Sequence, residues 1–337
     1  MFCVKKFAAA FLIILCLAAP SFAAHTNVAL VVAGSAGNAT APEFVNECNE
    51  GLKMAKHNYM RSLSTKLIDS KNCASKTDAL EKASVWANLV IIPVEDFSAE
   101  LPAVMRNHPN VTYVVFEAVP NAKVAHFRDE ETGFLAGVTA ALYLKNEKDT
   151  RINKKSRIGA IFGPENATIK RMKHGFRTGV WYIDKKLEPV MVHTEDFFNK
   201  EAAADYARRM HAKNIDIIFT AAGNAGLGAS EVAEKEGFWT IGVDNEVEKT
   251  YPKAVLASAV KCVDYVIFAA IDRYMQKKLD ANYVSLGVKE GAIGISTWTR
   301  EAKSNIPLSI RKRIEEIENK VKTGLIVLPD MDGKNKE

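Results

Sequence analysis

Short apolar runs alternating with helix-length amphipathic segments set the layout of this chain. The first run is VALVVAG (28–34), and a Gly- and Ala-rich loop, SAGNATAPE, leads from it into a helix over 44–60. Strand STKLID (64–69), a helix over 76–87, strand LVIIPV (89–94), a helix over 98–107 and strand VTYVVFEA (111–118) follow. These strands are apolar on both faces, as a parallel sheet covered by helices requires. A second series opens at 124–127. It continues through a helix over 131–146, strand RIGAIFG (157–163), a helix over 167–185, strand PVMVHT (189–194) and a helix over 199–212. Strand IIFT (217–220), the turn AAGNAGLG (221–228), a helix over 229–238, strand WTIGVDNE (239–246) and strand AVLASAV (254–260) complete it. A long helix (263–279), a strand or ribbon (VSLGVKEGAIGIS, 284–296), a helix (307–322) and the apolar piece GLIVLP close the chain.

Two βα series, with a late return of the chain to the first, predict an α/β protein of two Rossmann-like lobes. Each lobe is a parallel sheet flanked by helices, and the ligand cleft lies between them. The predicted boundaries are a leader over 1–24, an N-terminal lobe of 25–121 plus 262–285, and a C-terminal lobe of 122–261 plus 286–330. Crossings fall near 119–126, 258–263 and 283–288. No Pro/Ser-rich linker intervenes, so the lobes are expected to meet through short hinges. A ligand touching both lobes would favour their closed arrangement by its differential affinity.

The opening residues change the compartment. Lys5 and Lys6 precede an apolar run from Phe7 to Ala19, then Pro20 and Ser21-Phe22-Ala23. This is the pattern of a cleaved export signal, and the run is too short for a membrane span. Of five cysteines, Cys48, Cys73 and Cys262 lie beyond it. An odd count in an oxidising compartment permits one disulfide: Cys48 and Cys73 could pair, or not, while Cys262 is expected to pack as a small apolar side chain. The formal charge of +5 falls to +3 without Lys5 and Lys6. The basic clusters at 151–157 and 311–322 then read as solvated faces, and nucleic acid is excluded as a partner.

In parallel sheets ligands bind at the carboxyl ends of strands. Three successive ends carry Ala222-Gly223-Asn224, Asp244-Asn245 and Lys261. Gly223 and Asn224 sit where a missing side chain lets backbone amides approach a ligand, or an anion, at a helix start; the alternative is a tight strand-to-helix turn. AAGNAGLG lacks the Lys-Ser/Thr ending of a nucleotide-binding loop. Asp96 is either a polar contact at the third strand end or a helix N-cap. Glu130 and Glu131 at a helix start suit its dipole and demand no catalysis.

AAGNAGLGASEVAEKEGFWTIGVDNE followed by SAVKCVDY, with FRDEETGFLAGVTAAL (127–142) and DFFNKEAAADYARRMHAKNIDIIF (196–219), resembles the basic membrane protein family. Its best-known members are purine-nucleoside receptors of bacterial ABC importers, with type I periplasmic binding protein architecture. The resemblance implies that Asp244 takes the ribose hydroxyls, that Lys261 also reaches the sugar, and that Phe197 stacks on the flat base, with Phe198 as its competitor. Phe44 fits a second aromatic position. Val45 stands where an asparagine is expected, so Asn38, Asn46 or Glu43 would have to substitute for it. Cys16 follows Leu15, which fits a lipid-anchor site poorly, so a free periplasmic monomer is expected.

The expected function is therefore a solute-binding protein of an ABC importer, binding a purine nucleoside or related planar heterocycle and delivering it to an inner-membrane permease, without cofactor or metal. Riboflavin within the same family, or a sensor module for a membrane signalling protein, is the alternative. A nucleoside hydrolase would need clustered acids around a metal-bound water. The seven histidines lack ligand spacing, and neither Ser35 nor Ser258 lies in a nucleophile turn.

Overall fold

The computed structural model describes residues 25–32, 42–93, 97–116, 119–146, 148–152, 155, 157–279 and 283–329. In chain order the elements are β1 (Thr26–Val32), α1 (Pro42–Tyr59), β2 (Leu63–Asp69), α2 (Lys76–Trp86), β3 (Leu89–Ile92), α3 (Leu101–Asn107), β4 (Thr112–Val115) and β5 (Lys123–Phe127). Next come α4 (Asp129–Tyr143), β6 (Arg157–Phe162), α5 (Ala167–Ile183), β7 (Val190–His193), α6 (Lys200–His211), β8 (Ile215–Ala221), α7 (Asn224–Glu236), β9 (Trp239–Asp244) and β10 (Val255–Lys261). The chain ends through α8 (Val263–Met275), β11 (Tyr283–Leu286), β12 (Ile293–Ile295), α9 (Arg300–Asn305) and α10 (Leu308–Lys322).

The chain divides into two units, each built on one six-stranded sheet. The first holds the described residues up to His126 together with Cys262–Leu286, and the second holds Phe127–Lys261 and the described residues from Gly287 on. In the first the strand order is β11-β5-β4-β3-β1-β2, with β1 to β5 paired in parallel. Leu80, Val90, Phe97 and Val104 fill the core that α2 and α3 press onto one face of this sheet. Against α1 lies α8, close enough that a Cβ on Gly51 would stand 2.5 Å from the Asp264 carbonyl.

The second sheet runs β12-β10-β9-β8-β6-β7, all parallel except the β10–β12 pair. β8 is buried throughout, and β9 and β10 are buried up to their last residues, so both helical layers are in place on the central strands. At one helix pair the two backbones touch. On α4, Gly133 and Gly137 face the carbonyls of Met172 and Phe176; on α5, Gly175 and Gly179 face those of Glu130 and Phe134.

A polar anchor fastens the amino end of β9. Asp149 Oδ2 accepts from the Trp239 indole (2.6 Å) and the Tyr143 hydroxyl (2.7 Å), Oδ1 accepts from Arg151 N (3.0 Å), and the Arg151 guanidinium lies over the Trp239 ring. Desolvation alone would raise the Asp149 carboxyl, but the Tyr143, Arg151 and Trp239 donors outweigh it and hold the group below the usual carboxylate range. A depressed folded pKa contributes stability that is present above the unfolded value and lost as pH falls through the folded one. Asp149→Asn is expected to cost about 2 kcal/mol at pH 7. In urea unfolding series the deficit should shrink toward pH 2–3; a deficit independent of pH would count against the charged anchor.

Several sequence expectations are corrected. Residues 124–127 do not open the second series: they form the end of β5, in the first sheet. The expected ribbon over 284–296 is two strands belonging to different sheets. The helix expected at 229 starts at Asn224, because Gly223 alone makes the turn, at φ +56°. The short helix α9 was not foreseen. Cys48 and Cys73 are both free, since Cys48 is buried on α1 while Cys73 packs with the α2–α3 layer. Cys262 is buried but disulfide-bonded, correcting the expectation of a simple packed thiol. The leader and the loop carrying Asn38 also lie outside them, and no helix of the described residues is long and apolar enough to cross a membrane.

Candidate functional site

Parallel pairing lines up the carboxyl ends of β7, β6, β8, β9 and β10 as a row along one rim of the second sheet. Four of the expected residues fall on this rim at neighbouring strands. Gly223 follows β8, Asp244 ends β9, Asn245 follows it with an exposed side chain, and Lys261 ends β10. Asn224, half-buried, is the first residue of α7.

Phe197 lies in the loop after β7 and completes the row. Its ring rests on two glycines: a Cβ on Gly163, after β6, would stand 2.0 Å from the ring, and one on Gly223 would stand 3.3 Å from the Phe197 Cβ. Phe198 points outward and is 41 % exposed. The loop is held by Asp196, whose Oδ1 accepts from the backbone of Phe198 and Asn199 (both 2.7 Å), while the Phe197 carbonyl accepts from Ala225 N (2.9 Å). Gly226 N donates to Gly223 O (3.1 Å), so early amides of α7 that an anion would need are already engaged. Behind Gly163, His193 Nδ1 stands 2.8 Å from its carbonyl and Nε2 stands 3.0 Å from Lys173 Nζ. An acceptor on one side and an ammonium on the other assign the proton to Nδ1.

Asp244 adopts φ +64°, an uncommon conformation for a residue with a side chain. Asn245 N donates to Val243 O across it (2.8 Å), a γ-turn of the rare positive-φ kind. Such strain persists only where the surroundings impose it. The next turn is tied down by Val247 N, which donates to Ser258 Oγ (3.0 Å), and by Ser258 Oγ, which donates to the buried Glu248 (2.6 Å).

Lys261 stands between two carboxylates. Its Nζ is 2.9 Å from Asp129 Oδ1 and 3.8 Å from Asp244 Oδ1, and it lies over the Phe127 ring at 4.6 Å. Desolvation would lower the ammonium, but Asp129 and then Asp244 outweigh it and hold Lys261 above the ordinary lysine value. Asp129 is 3 % exposed and also meets Arg171 NH2 at 3.3 Å, whereas the Asp244 side chain is half open to solvent. Asp129, Arg171 and Phe127 escaped the sequence reading. Asp129 begins the acidic run in which the sequence pattern of Glu130 and Glu131 indicates only a fit to the helix dipole.

The remaining expected residues are elsewhere. Phe44 is half-buried on α1 of the first unit, beside half-buried Val45 and exposed Asn46; Asp96 lies outside the described residues. Among the described residues no group of three or more His, Cys, Asp or Glu is arranged to hold a metal ion.

The profile of the Bmp family, described as ABC transporter substrate-binding protein PnrA-like, matches residues 26–332. Basic membrane protein A2 of Borrelia garinii is 27 % identical over 290 residues, covering 83 % of this chain and 82 % of its own. Among solved structures, the solute-binding protein of an ABC transporter system from Aeropyrum pernix superposes with a TM-score of 0.72 at 20 % identity, over 90 % of this chain and 94 % of that one. A transcriptional activator from Bacillus halodurans gives a TM-score of 0.71 at 18 % identity, over 90 % and 99 %. These likenesses show the fold, that of type I periplasmic binding proteins.

Proposed function

Since the chain belongs to the Bmp family of PnrA-like ABC transporter substrate-binding proteins, we propose that its ligand is a purine nucleoside or a related planar, hydroxyl-bearing heterocycle. It is exported by the leader over residues 1–24 and hands the ligand to a membrane permease. The observation that carries this reading is the row of Phe197, Gly223, Asp244 and Lys261 along one rim of the second sheet. Phe197 offers a flat aromatic face to a base, worth about 0.5–1.5 kcal/mol beyond burial. Gly223, with no side chain, lets Phe197 pack close against the strand end and so fixes that face. The half-open Asp244 carboxylate accepts from two neighbouring hydroxyls of a sugar, and Lys261 donates to a sugar oxygen.

Titration calorimetry with adenosine, guanosine, inosine and riboflavin tests it. At least one nucleoside is expected to bind, and Asp244→Ala should weaken it by about 30- to 100-fold, the cost of a charge-assisted hydrogen bond. Binding of riboflavin alone would move the assignment to a flavin receptor of the same family. No heat and no melting shift with any of the four would overturn the heterocycle reading.

A further inference from the structure

Lys261 is shared unequally, and the inequality bears on the sugar end of the ligand. Arg171, Asp129, Lys261 and Asp244 form a ladder of alternating charge, with contacts of 3.3, 2.9 and 3.8 Å in that order. The ammonium sits on the buried carboxylate, and the exposed one is left just beyond hydrogen-bond distance. Coulomb attraction, which rises as the separation falls, favours the shorter contact. Closing the longer gap would need only a rotation near the end of a flexible side chain.

We infer that Asp129 is a positioning residue: by holding the Lys261 ammonium on its own carboxylate, it keeps Asp244 from being quenched by a contact ion pair, so that both Asp244 oxygens remain free for the paired hydroxyls of a ligand. Asp129 need not touch the ligand to do this. Arg171 supports it from the far side, so the buried carboxylate lies between two cations. Without Asp129, Lys261 swings onto Asp244, and the rim loses its acceptor while the Phe197 platform is untouched. The inference deepens the nucleoside reading above and rests on it for its ligand.

Two measurements test it. In calorimetry with a ribonucleoside, its 2′-deoxy analogue and the free base, Asp129→Asn is expected to lower ribonucleoside affinity about tenfold or more, while the free base binds unchanged. In an Asp244→Ala background the same change should have a smaller effect, since the acceptor it protects is gone and only the Lys261 contact to the sugar can still respond. Asp129→Glu, which keeps the charge, should recover most of the preference for the ribonucleoside. Should Asp129→Asn fail to fold with two buried cations uncompensated, Asp129→Asn combined with Arg171→Gln keeps the charge balance and carries the same expectation. An equal loss for base and nucleoside, or no loss, would overturn the inference.

The second measurement needs no ligand. A crystal structure of the variant should show Lys261 Nζ in direct contact with Asp244. A lysine that stays where it is would overturn the positioning role even if nucleosides bind, whereas a lysine that moves in a protein binding no nucleoside would leave the ladder standing and defeat only the nucleoside reading.

Discussion

Gly175→Ala is expected to destabilise the protein by about 3 kcal/mol or more, although the substitution improves intrinsic helix propensity by close to 1 kcal/mol. The reason is contact between two backbones. A Cβ at Gly175 on α5 would stand 1.9 Å from the Glu130 carbonyl oxygen on α4, and at Gly133 on α4 it would stand 2.0 Å from that of Met172. Both figures lie far inside van der Waals contact, and neither neighbour is a flexible side chain that can turn away. Matched spacings, Gly133 with Gly137 and Gly175 with Gly179, let each helix present a groove to the other. Inserting one methyl group must pry the pair apart, and everything buried beneath it, Phe134 and Phe176 among them, loses packing. Denaturant unfolding monitored in the second unit measures this. A variant as stable as the parent would mean that the helices are not held at backbone distance.

That glycine interface marks the boundary of what the sequence discloses. GFLAG and GFRTG both stand in the chain, but their meaning depends on α4 and α5 being neighbours, which no local pattern states. AAGNAGLG misled for a related reason. Its glycines suggested one long turn, yet only Gly223 makes the turn, while Gly226 and Gly228 lie inside α7 and permit close approach to Thr220 and to the Lys200 carbonyl. The same limit explains residues 124–127, since a run of strand character does not say which sheet it joins. The rim was more accessible, because in parallel sheets the residue at a strand's carboxyl end is placed by topology alone. Asp244 and Lys261 could therefore be assigned to the rim from their positions at the ends of IGVD and SAVK. Asp129 could not, because its relation to Lys261 exists only once α4 has been laid beside β10. Nor does a sequence announce that Asp244 will take a positive φ, since the residue type permits that conformation without requiring it.

Glu130→Gln is expected to stabilise the protein at pH 8 by up to roughly 3 kcal/mol, and to do nothing at pH 4. Glu130 is 3 % exposed, and its Oε2 is buried without a hydrogen-bond partner among the described residues. Burial raises its carboxyl to about 7; Asp129 and Glu131 on the same helix push the same way, and Arg171 from α5 opposes them without cancelling the effect. The direction of the pH dependence follows. In the unfolded chain the group ionises near pH 4, whereas in the folded protein it holds its proton until about 7. Between those values folding requires proton uptake, so wild-type stability falls as pH rises, and above about 7 the full cost of a buried carboxylate is present. Glutamine has the shape of the protonated acid and never ionises, so its advantage opens over this interval and then stays constant. The dependence is opposite to that of Asp149, whose lowered pKa makes its contribution vanish on acidification. Melting curves of parent and variant at pH 4, 6 and 8 distinguish the two cases. If Glu130→Gln lowers stability at pH 8, the carboxylate is paired with Arg171 strongly enough to repay its burial, and the acid run at the start of α4 is then a stabilising cluster and not a strained one.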